Sequence, residues 1–221
     1  MFKDDPFLLT YILYFCRQLI LSPMKQICVF CGSSSGENPV YRQHAVELGL
    51  LLSKLEIGLV YGGGNVGLMG VLADSVLESG GRVTGIIPQS IADLEVAHLG
   101  LTSLQIVDTM HERKHLMGEM SDGFIALPGG FGTLDELSEV LTYNQLRLYD
   151  KPVGLLNVNG YFDGLLKFLD HCVEEKFVRP EHRNNIVVSD QVDELVARMK
   201  TYKPVMIRKW IEDIREESKK N

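Results

Sequence analysis

Nine consecutive residues, Pro128 to Glu136, place three glycines, a threonine and two carboxylates between an apolar run, Gly123 to Leu127, and a segment with apolar residues at Leu137, Val140 and Leu141. That order predicts a strand, a glycine turn and a helix. Gly129, Gly130 and Gly132 let the backbone turn and bring its N–H groups close to a ligand, while the following helix offers its positive end. An anion, most simply a phosphate, suits such a turn. The lysine and the spacing of G-x-x-x-x-G-K-[ST] are missing, which excludes a Walker-type nucleotide triphosphatase here. Thr133 to Glu136 also has the S/T-x-x-E form of a capping box, so the same residues carry a structural reading with Thr133 as N-cap.

A second chemically capable stretch runs from Asp108 to Met117. Thr109 and Glu112 form another capping-box pattern, which predicts a helix start and puts Arg113 and Lys114 near its first turn. The two cations supply local positive charge, and the planar fork of Arg113 suits phosphate or ribosyl oxygens. Their bland reading is a solvated basic pair. His111 and His115 complete an H-E-x-x-H match on one helix face. Arg113 and Lys114 lie between them and would repel Zn²⁺, and no third ligand follows at the required spacing, so no metal is expected.

The elements that must hold these residues alternate along the chain. Apolar runs at Ile27 to Cys31, Ile57 to Tyr61, Val83 to Ile87, Leu104 to Val107, Phe124 to Leu127, Val153 to Asn157 and Ile186 to Val188 are separated mostly by helical patterns, among them Pro39 to Leu55 and Gly67 to Glu78. Short apolar strands alternating with helices predict an α/β, Rossmann-like doubly wound parallel sheet with helices on both faces. Ligands in such sheets bind beyond the carboxyl ends of the strands, where Gly32 to Gly36 and Gly62 to Gly67 add two more glycine turns. Gly62, Gly64 and Gly67 match G-x-G-x-x-G, but the next strand, Arg82 to Pro88, has no acid to hold a ribose, which argues against NAD. No cofactor is expected.

The chain has 221 residues, 45% of them hydrophobic, and a net charge of −7. One sizeable domain is expected over residues 24–203, with a small-molecule partner and neither nucleic acid nor membrane. The negative charge argues against general nucleic-acid binding, so an anionic ligand would have to be drawn by a local cationic patch. Cys28 and Cys31 lie three residues apart in a strand and so point to opposite faces, which predicts buried reduced thiols and a cytoplasmic protein. Residues 1–23 contain an apolar stretch interrupted by Arg17 and Gln18, too short to span a bilayer and without the basic start of a signal peptide. An extension outside the core is expected there, with Met24 a possible natural start. At the other end, Ile207, Trp210, Ile211 and Ile214 predict an amphipathic helix within 204–221.

Several of these stretches together resemble one family. Val29 to Ser34, Leu59 to Gly70, Gly85 to Pro88, Met110 to Lys114, Pro128 to Glu136 and Lys151 to Tyr161 are similar to the LOG ("Lonely guy") proteins, cytokinin riboside 5′-monophosphate phosphoribohydrolases. The resemblance covers about Lys25 to Lys200. It implies a homodimer that cleaves the N-glycosidic bond of an adenine-type nucleoside monophosphate to free base and ribose 5-phosphate. It implies Arg113 and Glu136 as catalytic residues and Glu95, Lys114, Gly129, Gly130, Phe131, Gly132, Thr133, Leu134, Asp135 and Thr142 as nucleotide contacts. Members often carry a lysine decarboxylase label, for which the residues offer no pyridoxal-phosphate lysine motif. Where the family commonly has Trp-Ala-Gln-Leu-Gly-x-His, this chain has Tyr143 to Tyr149, with Arg147 and Tyr149 expected to crowd the base pocket. Plain AMP is therefore a candidate substrate beside a prenylated one, and the alternative to an enzyme is a nucleotide or cofactor carrier on the same fold.

Overall fold

Residues 24–93 and 97–204 are described by a computed structural model. The extension expected over 1–23, Glu95, and all of the expected C-terminal helix but Pro204 lie outside the described residues.

Side chains of β1 (Gln26–Phe30) divide by parity between two cores. Ile27, Val29 and, just beyond the strand, Cys31 enter one cluster, and Cys28 and Phe30 enter the other. The two thiols are free and buried on opposite faces. The same alternation recurs in β2 (Gly58–Tyr61) and β5 (Gly123–Ala126), where Leu59, Tyr61 and Ile125 face one core and Val60, Phe124 and Ala126 the other. A strand apolar at every position has to be covered on both sides, and that is the pattern of a parallel sheet.

With β3 (Val83–Pro88), β4 (Ser103–Val107), β6 (Val153–Leu156) and β7 (Ile186–Ser189), the strands form one sheet in the order β4-β3-β2-β1-β5-β6-β7. Every pairing is parallel. Helices α1 (Pro39–Lys54), α2 (Gly67–Glu78) and α8 (Val192–Lys200) cover the first face. Helix α3 (Gln89–Ala92) is a single turn after β3. The second face is covered by α4 (Met110–Glu119), α5 (Phe131–Gln145) and the partly buried leucines of α6 (Asp163–Glu174). Short α7 (Pro180–Asn184) leads into β7. The expected doubly wound architecture is present, with small shifts in bounds. Strand β6 stops one residue early because Asn157 turns its side chain to accept from the Phe162 N–H (2.7 Å) and donate to Asp163 (2.8 Å).

The chain builds outward from β1 to β4 and then returns to set β5 on the other side of β1. That reversal opens a crevice at the carboxyl ends of β1, β2 and β5, where ligands bind in such sheets.

Candidate active site

Three loops meet in this crevice. The Gly32 N–H after β1 donates to the Pro128 carbonyl (3.0 Å), and the Leu68 N–H at the start of α2 donates to the Gly32 carbonyl (3.0 Å). Only glycine fits at 129, since a Cβ there would run into Thr133 Oγ1 and crowd the Gly32 nitrogen. From the loop after β6, the Tyr161 hydroxyl donates to the Gly129 carbonyl (2.6 Å) and fixes the turn from outside.

Helix α5 begins at Phe131, and Gly130 is its N-cap in a non-helical conformation. Its first internal hydrogen bond runs from the Leu134 N–H to the Gly130 carbonyl (3.1 Å), so the N–H groups of Phe131, Gly132 and Thr133 have no acceptor within the helix. Where side chains would stand on Gly130 and Gly132 there is open space. The capping-box reading of Thr133 and Glu136 is corrected here. Glycine adopts the non-helical cap conformation at little cost, so the helix starts earlier, and Thr133 and Glu136 become buried interior residues.

Helix α4 brings up the cation. Thr109 is its N-cap, accepting from the Glu112 N–H (3.0 Å), and the Glu112 carboxylate accepts from the Asp108 N–H (3.1 Å). Arg113, one turn in, donates through Nε to the Ile86 carbonyl (3.1 Å) and pairs through Nη1 with Glu136 Oε1 (3.2 Å). Gly62 makes room for this, because a side chain there would overlap the guanidinium. Burial pushes the Glu136 carboxyl up to about 7, with Arg113 opposing and Asp135 adding to the rise. The pair borders a cavity of about 270 Å³ whose polar wall also includes Gly130 to Thr133 and whose apolar wall includes Val29, Met69, Ile91 and Met110.

Of the residues expected at the site, Arg113, Glu136, Gly130, Phe131, Gly132 and Thr133 border this cleft. Gly129 supports the turn from below. Lys114 and Asp135 lie to the side, paired with one another at 3.0 Å. Leu134 points to the surface, and the Thr142 hydroxyl, just over two turns farther along α5, donates to the Ser138 carbonyl (2.8 Å). His111 and His115 are exposed. Tyr149 does not crowd the cleft as expected but fills the second core, stacked on Phe124 at 5.8 Å and edge-on to Tyr143 at 5.2 Å, and Arg147 does not border the cleft either. Tyr161 and the apolar wall were not read from sequence as site residues, since a hydroxyl bonded to a backbone carbonyl and a methionine near a strand end leave no spacing pattern.

Known proteins compare as follows. Residues 69–199 match the family described as "Possible lysine decarboxylase". The cytokinin riboside 5′-monophosphate phosphoribohydrolase LOG1 of Arabidopsis thaliana is 48% identical over 185 residues, 84% of this chain and 87% of that one. The probable enzyme of the same description LOGL2 from Oryza sativa subsp. japonica is 46% identical over 84% of this chain and 76% of its own length. Among solved structures, the molybdenum cofactor carrier protein of Chlamydomonas reinhardtii superposes with a TM-score of 0.63 at 20% identity, covering 80% of this chain and 97% of that one, a likeness of fold alone. The decarboxylase description does not fit the cleft. A Schiff-base lysine needs an unpaired amine at the reacting centre, and among the described residues no lysine borders the cavity.

Proposed function

The chain belongs to the LOG family of cytokinin riboside 5′-monophosphate phosphoribohydrolases, and from that membership we propose that it hydrolyses the N-glycosidic bond of an adenine-type nucleoside 5′-monophosphate, cytokinin riboside 5′-monophosphate or AMP, to free base and ribose 5-phosphate. The observation that carries this reading is the pairing of partly buried Arg113 with buried Glu136 beside the open N-terminus of α5. Breaking C1′–N9 develops positive charge on the ribose, and a carboxylate fixed in a low-dielectric cleft stabilises it or orients the attacking water. A carboxyl near 7 also exchanges a proton readily at neutral pH. The free N–H groups of residues 131–133 take the 5′-phosphate, and Arg113 holds sugar and phosphate in register with Glu136. Phe131, at 93% exposed, stands at the rim where a base or a second subunit would cover it.

The protein acts as a cytoplasmic homodimer in this reading. Supporting that are the exposed Leu146, Leu148 and Phe168 and the buried free thiols Cys28 and Cys31. Chromatography of the base released from AMP, N6-prenyl AMP and adenosine tests the proposal. Both monophosphates are candidates and at least one should be cleaved, while adenosine, with no group for the α5 N-terminus, should be cleaved at least about a hundredfold less efficiently. Efficient cleavage of adenosine would remove the phosphate site from the mechanism, and release of base from none of the three would leave a carrier.

A further inference from the structure

Lys114 follows Arg113 on α4 but faces a different environment. Its ammonium lies 3.0 Å from Asp135 Oδ2 and 2.8 Å from Glu139 Oε2, two carboxylates one turn apart on α5 that flank Glu136 in sequence. The other Glu139 oxygen accepts from the Tyr143 hydroxyl at 3.1 Å. Lys114 is absent from the wall of the substrate cleft and borders instead a separate small cavity with Phe30, Glu136, Glu139, Tyr143 and Tyr149. Glu136 is thus shared by two compartments, with Arg113 on the cleft side and the Lys114 cluster behind it.

Resting on the reading above, we propose that Lys114 is a positioning residue for Glu136: clamped by Asp135 and Glu139 behind the cleft wall, it ties α4 to α5 and offsets the negative charge around the Glu136 carboxylate without touching the nucleotide. Three acids lie within five residues on α5: the outer two close on the Lys114 ammonium, and the middle one turns to Arg113 at the cleft. Charge and geometry agree. Burial by itself would lower the Lys114 pKa, but its hydrogen bonds and attraction to Glu139 and Asp135 outweigh that and hold it above the usual lysine value. A cation fixed in this way is poorly placed to swing out to a phosphate.

Glu136 is surrounded by Arg113 and Lys114 from α4, by Asp135 and Glu139 from α5, by the thiols of Cys28 in β1 and Cys31 just after it, and, across the small cavity, by Tyr143 and Tyr149. The thiols stay neutral because burial raises both well above their usual value. Removing Lys114 and removing Glu139 must therefore shift Glu136 in opposite directions.

Carbon-detected NMR titration of the Glu136 carboxyl in ligand-free protein, assigned with Glu136→Gln, tests this directly. Lys114→Met should raise the titration midpoint by about half a pH unit or more, Glu139→Gln should lower it, and Lys114→Arg should leave it near the parent value. The acid limb of kcat/KM for AMP should move in the same directions, with KM changed less than about threefold. A midpoint that stays put in both Lys114→Met and Glu139→Gln, or a rise in KM of about tenfold or more in Lys114→Met whatever the midpoint does, overturns the proposal and makes Lys114 a clamp without electrostatic effect or a phosphate ligand. If Lys114→Met fails to fold, Lys114→Gln takes its place under the same criteria. Because the titration needs no turnover, a protein that releases no base would refute the phosphoribohydrolase reading and leave this inference to be decided by the midpoints.

Discussion

Helices α4 and α5 both carry a Thr-x-x-Glu sequence at their start and use it in opposite ways. In α4 the threonine caps, the glutamate reaches back to the Asp108 N–H, and the acid stays at the surface. In α5 the helix begins two residues before the threonine, and the glutamate is buried against Arg113 instead of capping. What differs is the approach: Val107-Asp108 leads into one helix, Gly129-Gly130 into the other. A glycine approach moves the cap out of the pattern and leaves the leading N–H groups of α5 without an acceptor in the helix. One helix start is occupied by its own side chains. The other is left for a ligand.

The comparison breaks most visibly at the two glutamates. Glu136→Gln keeps the shape but removes the charge opposite the developing cation, and should lower kcat by about a thousandfold, on the order of 4 kcal/mol. Glu112→Gln should leave kcat within about twofold. Glu136→Gln also changes how stability depends on pH. The folded-state pKa lies near 7, above the ordinary carboxyl value of 4.5, so the native state binds the proton more tightly. Stability from that proton is fully present below about 4.5 and is lost as pH rises to 7, a fall of at most about 3 kcal/mol. Denaturation at pH 5 and pH 8 should show this fall in the parent and a flatter response in Glu136→Gln. Unchanged kcat would reduce Glu136 to a packing residue.

A smaller effect separates the neighbours on α4. Arg113→Lys should lose about a hundredfold in kcat/KM, roughly 2.7 kcal/mol, because a single ammonium cannot hold both the Ile86 carbonyl and Glu136 as the guanidinium does. Lys114→Arg keeps the charge between Asp135 and Glu139 and should lose less than about tenfold. Steady-state kinetics with AMP compares them at constant net charge. Equal losses would mean that charge, and not the fork of Arg113, is what the cleft requires.

These contrasts also mark what could be read in the sequence. The sheet was legible because seven apolar runs of strand length alternate with helical patterns, and a strand covered on both faces has no polar positions to hide it. The opposed thiols of Cys28 and Cys31 followed from parity alone. Arg113 and the glycine turn could be placed at one end of the sheet from topology, since both follow strands in a parallel order. The α5 cap is not legible in the sequence because S/T-x-x-E records a capacity to cap, and the competing capacity of Gly130 lies outside the pattern. Tyr149 is expected to crowd the base pocket because it adds bulk where the family commonly has histidine. The structure puts its ring on Phe124, a contact set by the three-dimensional path of the chain after α5. Lys114 is expected at the nucleotide by the resemblance, and its charge beside a glycine turn suits an anion. Its two carboxylate partners are visible only once α4 and α5 lie side by side.

The smallest effect belongs to the occupied helix start. Thr109→Ala removes the oxygen that accepts from the Glu112 N–H and should cost about 1 kcal/mol of stability, read by chemical denaturation. Activity should change less than about threefold. The reason is that Arg113 is fixed from outside α4, by the Ile86 carbonyl at 3.1 Å and by Glu136 at 3.2 Å, so loosening the first turn does not release the guanidinium. The Asp108 N–H also keeps its bond to Glu112, which leaves half of the box in place. If Thr109→Ala lost activity on the scale of Arg113→Lys while stability held, the α4 cap would be setting the position of the arginine. The two helix starts would then differ in which residue meets the ligand, and no longer in whether they serve it.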